Sequence, residues 1–180
     1  MRHQPRIVRI GPADVERVVA LHSRCSAHTL WSRYHRAMGD PRSYLGALLS
    51  RPGSVHLAAL GASGRLVAVG HLMPDDGNAE AALLVEDAWQ NNGLGTGLLR
   101  HLGRYAARQG WEEIHGLILP GDDRVPAMLR RIAVPVRRVR EEGATTVCVA
   151  VGDIVGRGDA EASGTPGNRA AQGAHEQPCH

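Results

Sequence analysis

The sequence contains no lysine and no phenylalanine. All 21 residues counted as Lys+Arg are arginines, set against 18 acidic residues, for a net charge of +3. Without lysine there is no Walker A phosphate loop, no strand lysine of a protein kinase and no Schiff-base lysine for pyridoxal phosphate. Aromatic residues make up only 3%, so a core has to be built from Leu, Val, Ile and Ala. The cysteines, Cys25, Cys148 and Cys179, are odd in number and far apart. They form no disulfide framework, which points to a reducing compartment. No run approaches the roughly 18 apolar residues of a membrane span. Residues 1–20 lack the apolar stretch of a secretion signal. A soluble cytoplasmic protein is expected, with no membrane partner.

What is present is ordinary in proportion, with 43% hydrophobic and 22% charged residues. The isoelectric point of about 9.1 suits an anionic ligand. The small net charge argues against nucleic acid as a partner. Residues 152–180 are rich in Gly, Ala, Ser and Pro, with few large apolar side chains after Val155. Such a segment buries too little surface to offset its ordering entropy, so a disordered tail is expected behind one folded domain over residues 1–151.

Within the domain the pattern predicts a strand over 6–10 and then a helix with Val15, Val18, Val19 and Leu21 on one face. Further helical stretches are expected through Leu30, Tyr34 and Ala37, and over 43–49. Strands over 54–60, 65–73 and 79–86, joined by short Gly/Asp turns, read as an antiparallel meander. A long helix ending at Gly110 follows, with a stripe of Leu94, Leu98, Leu102 and Tyr105. A strand over 113–119, a helix over 124–133 and a final strand pair over 136–140 and 144–151 close the order.

The most informative segment is Gln90-Asn91-Asn92-Gly93-Leu94-Gly95-Thr96, where a strand ends and a helix begins inside a glycine-containing loop. Amides at a helix N-terminus have no intrahelical partner, and the helix dipole adds partial positive charge, so this is a site for phosphate or pyrophosphate. It needs no lysine. A dinucleotide fingerprint fails, because Leu98 stands where its third glycine belongs and the loop follows a meander rather than a first parallel strand.

Gln90-x-x-Gly93-x-Gly95 matches the Q/R-x-x-G-x-G/A motif of the GNAT family of N-acetyltransferases, and the element order resembles that family's fold. Two stretches resemble the bacterial Pat-type protein lysine acetyltransferases. One is Ser26-Ala27-His28-Thr29-Leu30-Trp31-Ser32-Arg33-Tyr34, similar to their S-x-x-(S/T)-h-x-x-R-(F/Y) element (h apolar). The other runs from Ala79-Glu80-Ala81 to Gln90. The resemblance implies a mixed α/β (α+β) fold, with a mostly antiparallel sheet of about seven strands flanked by about four helices. It implies acetyl-CoA as acyl donor, with its pyrophosphate on the amides from Gln90 to Thr96 and its pantetheine arm along Leu84 and Val85. It also places Asp123, where many members have Asn, among the donor-binding residues. No metal is implied.

By the same resemblance Glu80 is the general base that deprotonates an amine acceptor, either a protein lysine or a small molecule. Its plain alternative is a solvated glutamate after a turn. Glu86 and Asp87 flank the loop and are expected to shape it. The family's Tyr acid is replaced by Leu129, and its Gly-Phe pair by Ala133-Val134. Water is then the proton donor to the leaving thiolate, or turnover is slow. A catalytically degenerate acyl-CoA sensor and a homodimer both stay open.

Other groupings read more plainly. His22-x-x-Cys25-x-x-His28 has metal-like spacing but no evident fourth ligand. Cys148 reads as a core cysteine. The stretch Arg130, Arg131, Arg137, Arg138 and Arg140 lacks interleaved aromatics and reads as a solvated face or a contact to a cofactor phosphate. Trp31 and Tyr34 either line the acceptor side or pack in the core.

Overall fold

The computed structural model describes residues 5–156 apart from Glu142. Seven strands form one sheet: β1 (Arg6–Arg9), β2 (Val55–Leu60), β3 (Leu66–Asp75), β4 (Asn78–Val85), β5 (Glu113–Ile118), β6 (Arg137–Glu141) and β7 (Ala144–Ala150). Their spatial order is β1-β2-β3-β4-β5-β7-β6. Every pairing is antiparallel except β4 with β5. The helices are α1 (Val15–His22), α2 (Ala27–Tyr34), α3 (Arg42–Leu49), α4 (Leu94–Gln109), α5 (Arg124–Arg131) and α6 (Val151–Val155). Among the described residues six helices flank the sheet where about four were expected, and α6 is the one the sequence pattern did not show.

Strand alternation splits the apolar residues between two cores. On one face Val67, Leu72 and Ile114 pack against Leu98 and Leu102 of α4 and Leu129 of α5. On the other, Val69, Met73, Ala82 and Leu84 pack against Val18 and Leu21 of α1 and Leu45 of α3. The α4 stripe forms as its spacing predicts, except that Tyr105 sits at its margin, with Arg108 over its ring at 4.9 Å.

Several boundaries differ from the sequence reading for local reasons. α2 stops at Tyr34, three residues short, because His35 turns left-handed (φ 56°) and its amide bonds back to the Trp31 carbonyl. β4 stops at Val85, because the Glu86 carboxylate is drawn into ion pairs with Arg24 and Arg65 at 3.0 and 2.9 Å. β7 stops at Ala150 and the chain turns directly into α6, past the expected domain edge at residue 151. There Val151 and Ile154 are buried against α4. Gly103 of α4 makes room for this contact, since a Cβ on it falls 2.8 Å from Ile154 Cγ2. The expected tail beyond residue 156 lies outside the described residues.

The parallel junction matters most for function. β4 and β5 pair only at Ala79 with Ile114 and at Glu80 with His115. Beyond this point the strands diverge, so one edge of β4 from Ala81 to Val85 has no strand beside it. Gly116 stands at the fork, where a Cβ would lie 3.0 Å from the Ala81 carbonyl oxygen.

Candidate active site

A cavity of about 1040 Å³ opens in this fork. Glu80, Leu84, Val85, Gln90, Asn91, Gly93, Leu94, Gly95, Thr96 and Asp123 all border it. Asn92 lies off it, exposed, with its side-chain amide donating to the Gln90 carbonyl at 3.1 Å. Ten of the residues expected from sequence are therefore brought together from three segments of chain.

The loop owes its form to two left-handed residues, Asn91 (φ 60°) and Gly93 (φ 77°). Gly93 is the N-cap of α4, with no side-chain cap, and the first helical bond runs from Gly97 N–H to Gly93 O at 2.9 Å. The amides of Leu94, Gly95 and Thr96 thus stand ahead of the ladder at the positive end of a 16-residue helix with no acidic residue in its first turn. This meets the demand of a pyrophosphate. The unpaired edge of β4 meets the demand of an extended amide chain, which can add to it as a strand. The fit is not uniform along the loop. The Gln90 amide is already spent on the Asp87 carbonyl at 3.2 Å. One lone pair of the Val85 carbonyl is taken by Gln90 Nε2 at 3.0 Å.

Gln90 therefore points inward. Its Nε2 also donates to Thr29 Oγ1 at 3.0 Å, and Thr29 donates in turn to Asp87 Oδ1 at 2.8 Å. Ser26 caps α2 and donates both its amide and its hydroxyl to Asp87. Burial alone raises the Asp87 pKa, but these Ser26 and Thr29 bonds outweigh it and hold the carboxyl below its usual range. Glu86 and Asp87 shape the loop, as expected, by pairing rather than by facing a ligand.

Glu80 shares the sheet face of Ala82 and Leu84, the face covered by α1–α3. Its neighbour across the junction, His115, also borders the cavity and is held by Asp75 Oδ2 at 2.9 Å. Nothing in the sequence pattern marks this pair. On α5, Leu129 is 2% exposed, packed in the core. Asp123 is exposed, and it is Asp122 that grips Arg124, at 3.0 Å.

The metal-like spacing does not make a site. His22 Nδ1 lies 2.7 Å from the Val18 carbonyl and its Nε2 meets the Tyr34 hydroxyl, while Cys25 donates to Leu21 O and His28 is exposed. Burial, with the Asp87 and Glu86 charges, pushes the Cys25 thiol up to about 12, so it is no thiolate nucleophile. Among the described residues no group of three His, Cys, Asp or Glu side chains could hold a metal ion. No described helix is long and apolar enough to cross a membrane. Arg137 of the basic stretch pairs with Glu113 at 2.7 Å, and Cys148 is buried. Trp31 is 51% exposed and borders the cavity, and Tyr34 both borders it and packs between His22 and Tyr44.

The seven-stranded sheet is forked at its parallel pair, with the N-terminus of α4 bordering the fork. Residues 17–130 match the acetyltransferase (GNAT) family model. The chain belongs to that family of acyltransferases, which use acetyl-CoA. In fold it is similar to the GNAT domain of a PAT from S. lividans (21% identity, TM-score 0.69, 81% of this chain and 90% of that one). It is also similar to the ribosomal-protein-S18-alanine N-acetyltransferase of Escherichia coli (14% identity, TM-score 0.63, 82% and 94%). A third likeness is to a phosphinothricin acetyltransferase from Sinorhizobium meliloti in complex with AcCoA (12% identity, TM-score 0.64, 82% and 89%). No curated protein matches the chain in sequence.

Proposed function

We propose that this protein moves an acetyl group from acetyl-CoA to a primary amine by direct attack, with Glu80 as general base. The observation that carries the reading is the fork between β4 and β5, with Glu80 at its apex and the free amides of Leu94, Gly95 and Thr96 at its far end. Bound acetyl-CoA supplies an activated thioester. The loop amides hold its pyrophosphate, and the β4 edge at Leu84 and Val85 orients its pantetheine arm. Asn91 and Asp123 border the donor's path. Glu80 takes the proton that makes an ammonium non-nucleophilic; the new N–C bond forms as the C–S bond breaks. α5 offers no hydroxyl where Leu129 stands, so water returns the proton to the thiolate.

For the acceptor, the likeness of Ser26 to Tyr34 and of Ala79 to Gln90 to Pat-type enzymes supports a protein lysine. An open recess bordered by Glu80 supports a small amine. The test is thiol release with acetyl-CoA against lysine peptides and small amines. Glu80→Gln is expected to lower turnover by about 10² or more while leaving acetyl-CoA affinity intact. Equal rates in the variant remove Glu80 as base. Acetyl-CoA binding without thiol release over the whole panel favours a sensor.

A further inference from the structure

Next to the main cavity lies a recess of about 420 Å³, bordered by Arg33, Tyr44, Leu48, Arg51, Met73 and Glu80 among others. Arg33, Tyr44 and Glu80 border both spaces, so the recess opens on the fork at the position of the base. Its walls are uneven in character. Leu48 and Met73 are buried core residues and make one side apolar. Glu80 is the only acid among the described residues on its border.

Arg33 is the unexplained group. Arg17, Arg24, Arg42, Arg65, Arg124 and Arg137 each meet a carboxylate within 3.0 Å, while Arg9, Arg36 and Arg108 lie over tyrosine rings and Arg51 donates to the Pro74 carbonyl; Arg33 alone among the described arginines has a buried Nε without an acceptor. Arg33, half-buried, meets no carboxylate among the described residues. Its guanidinium lies over the Tyr34 ring at 4.7 Å, and its Nε is shut off from solvent with no acceptor. Its charge lowers the pKa of Tyr34, His22 and His71, each against or alongside the effect of burial. A cation partly removed from water and without a counter-ion is costly, and a guanidinium is suited by its fork of donors to a carboxylate.

We propose that the recess is the acceptor subsite and that it takes an amine that also bears a carboxylate. The amine sits at Glu80, the carboxylate on Arg33, and the carbon chain lies along Leu48 and Met73. This rests on the acetyltransferase reading, which it narrows to an aminocarboxylate acceptor.

The test compares leucine, β-alanine, 4-aminobutanoate and 6-aminohexanoate, each with its primary amide, for binding to the full chain by saturation-transfer NMR and for acetylation. At least one acid is expected to bind about tenfold better than its amide. That preference should collapse in Arg33→Gln, whose melting point and acetyl-CoA affinity stay near wild type. The absence of any acid-over-amide preference in the wild type overturns the proposal, whether or not the variant folds. So does a lysine peptide that is acetylated faster than every free acid. Failure to bind acetyl-CoA overturns the acetyltransferase reading instead, and the binding comparison of acids with amides still decides the recess.

Discussion

The hydroxyl of Thr29 donates to Asp87 at 2.8 Å and accepts from Gln90 at 3.0 Å, so one side chain of α2 braces both ends of the turn before the loop that opens α4. Helix α2 and the loop from Gln90 to Thr96 are thereby tied together through one side chain. Gln90 contributes to the loop through this brace, not through its own amide.

Thr29→Val and Asp87→Asn should each cost about 1 kcal/mol of stability, and the two should add only in part, because both disturb the Thr29–Asp87 bond while each also touches bonds of its own. Both should weaken acetyl-CoA binding by loosening the loop. The pH dependence follows from the depressed Asp87 carboxyl. Its contribution is complete above the ordinary value of 3.8 and is lost as pH falls through the lower folded-state value. Acid unfolding of wild type and Asp87→Asn, followed by circular dichroism, should therefore converge at the acid end.

Gly93→Ala places a side chain at φ 77°, a backbone conformation costing about 1–2 kcal/mol for an L-residue. Space is not the obstacle, since nothing lies within 4 Å of the added Cβ. The loop should relax away from this geometry, and the Kd for acetyl-CoA measured by calorimetry should rise about tenfold. An unchanged Kd separates the α4 N-terminus from donor binding.

Ala133 occupies the left-handed region at φ 52°, at the position where the family's pattern has glycine. Ala133→Gly should relieve the strain and give back part of it as unfolded-chain entropy, for a net gain of about 0.5–1 kcal/mol. A melting point raised by about 2–4 °C is the expected readout.

Gly103 and Ile154 form the seat of α6. Gly103→Ala should cost about 1–3 kcal/mol by overpacking, and Ile154→Ala in the same chain should recover part of that loss. Residue 156 is the last described residue, and α6 lies just before it. A chain cut there should melt several degrees above one cut after 150, which loses the buried Val151 and Ile154.

The order of strands and helices, the meander and the strand-to-helix loop at Gln90 to Thr96 were legible because each depends on local periodicity or on turn chemistry. The absence of lysine already required that an anion be held by backbone amides or arginine. Tertiary structure alone decided which distant residues meet: Thr29 with Asp87, Glu80 with His115, Gly103 against Ile154. It also decided that β4 and β5 pair for two residues and then part. Such meetings depend on strand order and on how far a junction stays closed. A hydrophobic pattern reports that a face is buried, but not what buries it.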